Sequence, residues 1–226
     1  MRWRSIRPVH GWPELVQQIL IVVAGVLIAL GAQQMVDDWQ WRREVREFRA
    51  ALDNELGYNL GAYRARLEQS GCIQRRLDQL STWMGHVEDG EQLRLVSPIA
   101  RPMMLAARTS VWESRTPEAA SHLGLENRLI YAKLYDSVAL YATQRGDERA
   151  VWNELMDFEG AEDLDRSDVM RLRGLIERGR FLERVTRLNW PTFQQRIAQM
   201  GIRAWSETDD PALVSALCQP LRWEAA

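Results

Sequence analysis

Leu15-Val16-Gln17-Gln18-Ile19-Leu20-Ile21-Val22-Val23-Ala24-Gly25-Val26-Leu27-Ile28-Ala29-Leu30-Gly31-Ala32-Gln33-Gln34-Met35-Val36 is the stretch that decides how this chain is built. It contains no Asp, Glu, Lys or Arg, and Ile19 to Ala32 is wholly apolar. As a helix it spans about 33 Å, against about 30 Å of hydrocarbon in a bilayer. Gln17, Gln18, Gln33 and Gln34 sit near its ends, at headgroup depth. Trp12 and Trp39 flank it about 40 Å apart along a helix, which suits rings at opposite interfaces; Trp41 reinforces the second belt. The pattern predicts a membrane-spanning helix. Two other readings compete. Arg2, Arg4 and Arg7 before an apolar run also fit a cleaved signal peptide, with Ala29-Leu30-Gly31 as a cleavage site. A buried core helix would leave the paired Trp flanks unexplained.

Outward from the span, the pattern turns amphipathic. Val45, Phe48, Leu52, Leu56, Leu60, Tyr63 and Leu67 step by three or four, with charged residues assigned to the other faces. This predicts a helix continuing to about Gln69 and a break at Ser70-Gly71. Ile73, Leu77, Leu80, Met84 and Val87 mark a second helix. The stretch from His86 to Pro102, with Gly90, Pro98 and Pro102, reads as a loop. Leu93-Arg94-Leu95-Val96 has strand character but no strand to pair with. Thr116-Pro117-Glu118 carries the signals of a helix start. Leu125 to Tyr141 reads as a helix punctuated at Gly146-Asp147, and Arg149 to Phe158 as a shorter one. Ser167 is the expected cap of a helix carrying Val169, Leu172, Ile176, Leu182, Val185 and Leu188. Pro191 is expected to kink or end it, and Gly201 to close the next turn. Asp210-Pro211 opens a last short helix to Leu217. The sum is an all-α helical bundle.

The chain has 226 residues and a net charge of -2, so one bundle with an appendage fits and a nucleic-acid partner does not. The two cysteines, Cys72 and Cys218, are the sharpest local chemistry. In an oxidising compartment they pair; in a reducing one they are two buried thiols. Their separation excludes a CxxC redox motif. His10, His86 and His122 share no turn, so no histidine metal site or catalytic role is expected. Asp157, Glu159, Glu162, Asp163 and Asp165 lack calcium-loop spacing and read as a solvated linker; Glu88, Asp89 and Glu91 read alike. No cofactor and no enzymatic activity are expected. Gly25, Ala29 and Ala32 place small residues on one helical face and suggest self-association in the bilayer.

The run from Glu14 to Leu30, with Trp39 and Arg43, resembles a large uncharacterised family of bacterial single-span inner-membrane proteins with a helical extramembrane domain. Cys72-Ile73-Gln74-Arg75-Arg76-Leu77, Trp112-Glu113 and Tyr131-Ala132-Lys133-Leu134-Tyr135 look similar to its proteobacterial members. The resemblance implies an anchor rather than a cleaved peptide, and no activity. The chain then divides into a cytoplasmic tail (1–14), a transmembrane helix (15–36) and a helical periplasmic domain (37–226). That domain comprises a stalk helix over about 37–69 and a bundle over about 72–218. Basic residues on the two sides of the span are nearly balanced, so orientation rests on the short, acid-poor tail. The first functional reading is a protein that binds the bilayer and an unknown protein partner, or a second copy of itself, as a scaffold. The second is a ligand-sensing module acting through a partner; an unrecognised hydrolase comes third. The anchor predicts that the mature chain keeps Leu15–Val36 and resists carbonate extraction; a mature N-terminus near Ala32, or release by carbonate, would contradict it.

Overall fold

The structure is a computed structural model that describes residues 11–205 and 216–225. Residues 1–10 of the expected tail and the start of the expected last helix, at Asp210-Pro211, lie outside the described residues, and α1 begins at Trp12, inside the expected tail. The described elements are α1 (Trp12–Glu68), α2 (Ser70–Glu88), β1 (Leu93–Leu95), α3 (Ser110–Glu113), α4 (Pro117–His122), α5 (Leu125–Met156), α6 (Arg166–Gln199) and β2 (Trp223–Ala225). The fold is therefore all-α apart from one small antiparallel ladder, with Leu95 opposite Trp223 and Leu93 opposite Ala225. The chain divides into two compact units, one up to Arg49 and one from Ala50 onward.

The first unit carries the apolar part of α1. Among the described residues this is the one helix long and apolar enough to cross a membrane. Its apolar residues are exposed throughout, Ile28 by 73%. A buried core helix would have protein against these side chains, so that reading is not met here.

The second unit is organised by the stripe on the last part of α1. Leu52 and Leu56 are fully buried, and Leu60 and Tyr63 nearly so. Ile73, Leu77, Leu80 and Trp83 of α2 form one buried cluster with Trp152 of α5 and Leu172 and Ile176 of α6, and Leu134 and Val138 of α5 and Ile197 of α6 are buried as well. The stripe is shorter than expected, since Val45, Phe48 and Leu67 are only half-buried; on α6, Leu188, expected on the apolar face of that helix, is 69% exposed. Burial extends beyond the apolar stripe: Glu55, Asn59 and Arg66 of α1, and Gln69 just after it, are buried because each meets a specific partner, while Arg64 and Glu68 are exposed.

Several boundaries also differ from those expected. The break falls at Gln69, so Ser70 and Gly71 belong to α2, as does His86. β1 does find a partner, β2, from the far end of the chain. α5 runs through Gly146-Asp147 as one helix. A helical Gly costs about 1 kcal/mol. Here Arg145 and Glu148 on either side are tied into the core, and Val151 and Trp152 beyond them are buried. α6 likewise continues past Pro191. Pro191 and Arg187, whose carbonyl loses its helical donor, face solvent, while Phe193 and Ile197 beyond are buried. Asp165, not Ser167, caps α6: Asp165 Oδ1 accepts from Asp168 N at 2.9 Å and Asp168 Oδ2 from Asp165 N at 3.2 Å. Thr116 does cap α4, with Pro117 first, and its hydroxyl accepts from Ala119 N at 3.1 Å.

The segment after α6 lies against α1 where Gly57 and Gly61 remove two side chains. Trp205 N donates to the Gly57 carbonyl at 3.0 Å. A Cβ on Gly61 would collide with the Trp205 carbonyl oxygen. Two substitutions test this packing. Leu56→Asp should lower unfolding stability by about 3–5 kcal/mol through an unpaired buried charge. Gly61→Ala, although it improves helix propensity, should also destabilise. Urea unfolding of the detergent-solubilised chain measures both, and a stabilised Gly61→Ala would show that this contact is absent.

Candidate functional site

Three polar constructions stand out in the second unit. The deepest is a cluster of two guanidinium groups and two carboxylates shared by three helices. Arg66 of α1 donates through Nε to Glu148 Oε1 and Oε2 of α5 at 3.0 and 3.1 Å, and its Nη2 also pairs with Glu148. The same Nη2 reaches Glu183 Oε2 of α6 at 2.7 Å. Arg145 Nη1 donates to Glu148 Oε2 at 2.6 Å. Burial alone would lower the Arg66 pKa, but Glu148 and Glu183 outweigh it and the pKa is raised. For Arg145 burial dominates, and its pKa falls. Aromatic rings wall the cluster: Tyr63 stacks on Tyr141 at 4.3 Å, and its hydroxyl donates to the Thr186 carbonyl at 2.7 Å. Burial pushes the Tyr141 hydroxyl up to about 12 and the Tyr63 hydroxyl higher still. Neither ionises near neutrality.

The second construction fastens the long connection between β1 and α4. Asn59 grips the backbone of Arg108 from both sides: Nδ2 to O at 2.7 Å and N to Oδ1 at 2.8 Å. Gln69 does the same at Met103, with N to Oε1 at 2.8 Å. Glu55 caps α3, accepting from Ser110 Oγ, from Val111 N at 2.9 Å, and from the Tyr135 hydroxyl at 2.7 Å. The sequence shows two polar residues on α1 and one just after it; only the fold shows that they hold a loop.

The third is the disulfide. Cys72 and Cys218 are bonded, with Cα atoms 4.7 Å apart. Beside it Arg76, almost wholly buried, donates to five backbone carbonyls: Pro98, Ile99, Ala216, Leu217 and Gln219. Burial lowers its pKa, only partly offset by Glu159. Covalent bond and guanidinium together hold residues 216–219 onto the start of α2.

The acidic stretch after α5 is less idle than expected. Glu159 accepts from Ile99 N at 2.7 Å, Asp157 pairs with Arg171 at 3.0 Å, and Asp165 caps α6. Glu88 pairs with Arg173, and Glu91 with His86 at 2.9 Å. His122 ends α4. His10 lies outside the described residues. No metal-holding group of three His, Cys, Asp or Glu occurs among the described residues.

The residues expected at the membrane lie in the first unit. Trp12 is 82% and Trp39 59% exposed, while Trp41 is half-buried. Gly25, Ala29 and Ala32 are exposed, and nothing lies within 4 Å of where a Gly25 Cβ would sit. A feature missed in sequence is a cleft of about 550 Å³ in the second unit, between α1 and the Gly201–Trp205 segment. Tyr58, Arg108, Arg203 and Trp205 line it. They are scattered over almost 150 positions, and no local spacing joins them.

Comparison of the chain with protein-family models, with curated proteins and with solved structures returns no match.

The cluster supports a double-mutant test. Arg66→Met should destabilise by about 3–5 kcal/mol, since it leaves two carboxylates short of a buried partner. Adding Glu183→Leu should recover part of that loss, because Arg145 and Glu148 still balance each other. Additive losses on urea unfolding would show that Arg66 and Glu183 are not coupled.

Proposed function

We propose that this protein is a membrane-anchored helical scaffold at the bacterial inner membrane, with a cytoplasmic N-terminus and its helical unit in the periplasm. The observation that carries this reading is one helix, α1, that supplies both an exposed apolar run and the core stripe of a disulfide-closed unit. An exposed apolar run of that length is stable in lipid and costly in water. A disulfide persists in an oxidising compartment, which supports the periplasmic side. Trp12 and Trp39 then lie at opposite headgroup regions. Gly25, Ala29 and Ala32 offer a face for a second copy.

The scaffold acts by presenting surface rather than by chemistry, so no catalytic residues are assigned. Leu125, Leu129 and Leu140 of α5 are each more than half exposed and fall within about 60° of one another around the helix. An exposed apolar line of this kind suits a protein partner. The ligand-sensing reading also has a specific observation in its favour, the cleft beside Tyr58 and Trp205.

Two measurements test the proposal. Alkaline phosphatase fused after Ala226 should be active and a fluorescent cytoplasm-only reporter there dark; the reverse result inverts the topology. A photo-crosslinker at Leu129 or Leu140 should give discrete adducts in cells, whereas one at exposed Arg178 should not. Identical patterns at all three positions would count against α5 as the partner face.

A further inference from the structure

We propose that the cleft between α1 and the Gly201–Trp205 segment binds a small anionic ligand carrying a flat aromatic group. The proposal rests on the ligand-sensing reading and gives it a chemical class. The cleft's volume, about 550 Å³, falls inside the range of about 300–1,000 Å³ typical of small-molecule sites.

The anionic part follows from Arg108. Its backbone N–H and C=O are both held by the Asn59 amide, at 2.8 and 2.7 Å, so the root of the side chain is fixed. Its guanidinium carbon lies 3.6 Å from the centroid of the Tyr58 ring. Stacking uses the flat face of the group and leaves its N–H edges as a planar fork of donors. Among the described residues, neither Arg108 nor Arg203, the second arginine of the lining, has a carboxylate partner. Asp53 also lines the cleft, but one of its oxygens accepts the Tyr131 hydroxyl at 2.6 Å. Among the described lining residues, two guanidinium groups stand against one carboxylate, an excess of positive charge.

The aromatic part follows from Trp205. Its ring lies 5.4 Å from that of Tyr58, tilted by 41°, and the residue is 44% exposed. The Tyr58 ring is buried beneath Arg108, so Trp205 is the surface left for a flat apolar group. The backbone that carries Trp205 is pinned by its hydrogen bond to Gly57 and by the close approach that Gly57 and Gly61 permit. Fixed donors beside an anchored ring form a site that needs little ordering when it binds.

The test titrates the full chain in phosphatidylcholine nanodiscs, with empty nanodiscs subtracted. The probes are 2-naphthoate, 2-naphthyl phosphate, 2-naphthylmethylammonium, acetate and inorganic phosphate. At least one naphthyl anion should bind saturably at one site per chain, and at least tenfold more tightly than the ammonium probe or the matching small anion. Binding of the carboxylate alone, or of the phosphate alone, names the anionic group and supports the proposal either way. Arg108→Gln and Arg203→Gln should each weaken binding at least fivefold. Arg108→Lys, which keeps the charge and loses the fork, should also weaken it, and Arg178→Gln on the α6 surface should not. Arg203 is exposed, so its variant keeps the reading falsifiable if Arg108→Gln misfolds. Saturable binding without preference for anions would overturn the anionic class and leave ligand sensing standing. No saturable binding of any probe, or wild-type affinity in Arg203→Gln, would overturn the site itself.

Discussion

Burying a guanidinium is costly unless carboxylates meet it, and Arg66 draws one carboxylate from each of two other helices onto Nε and Nη2, leaving Nη1 without a hydrogen-bond partner among the described residues. Glu148 comes from α5 and Glu183 from α6, while Arg66 itself sits on α1. None of the three helices can rotate or slide without separating charges in a medium where that costs several kcal/mol. The apolar core alone would tolerate several registers, since leucines exchange neighbours with little penalty. The cluster selects one. Arginine suits the role because its planar fork serves two carboxylates at once, and Lys133 is the lone lysine among 29 basic residues. Arg145 completes the balance by sharing Glu148, so the buried charges sum to zero.

Around this fixed point, the unit spends its remaining buried polar groups on irregular chain. The connection between β1 and α4 has few hydrogen bonds of its own. Asn59 and Glu55 of α1 and Gln69 at its junction with α2 supply them, and Arg76 supplies them to Pro98 and Ile99. Backbone that would otherwise be buried and unsatisfied is thereby paired. The same Arg76 reaches residues 216–219, where the disulfide also acts. The two devices work on different states. The bond limits the unfolded chain, across a separation of 146 positions, and the guanidinium stabilises the folded one. The β1–β2 ladder extends the same attachment.

These constraints bear on function through rigidity. The cleft wall is built on α1, whose register is set by Arg66, and on Gly201–Trp205, which two glycines let approach. Such supports fix the positions of the residues that line the cleft. The exposed apolar run in the first unit is a separate matter: none of the described residues buries it.

The features that depend on nearest neighbours in sequence were legible without a fold. The apolar run from Leu15 to Val36, the stripe Leu52-Leu56-Leu60-Tyr63 and the Thr116-Pro117 helix start all follow from composition or spacing, whereas sequence alone allows the two cysteines to be either paired or free and the fold bonds them. Helical periodicity and capping are local, so local reading recovers them. The burial of Glu55, Asn59, Arg66 and Gln69 did not, because a polar residue on a helix looks the same whether water or a distant carboxylate will meet it. The partner of β1 lies at the other end of the chain, and the continuity of α5 through Gly146 and of α6 through Pro191 depends on side chains that other helices bury. Each of those outcomes was decided where long-range contacts outweighed a local preference of about 1–3 kcal/mol, a comparison that only the tertiary structure contains.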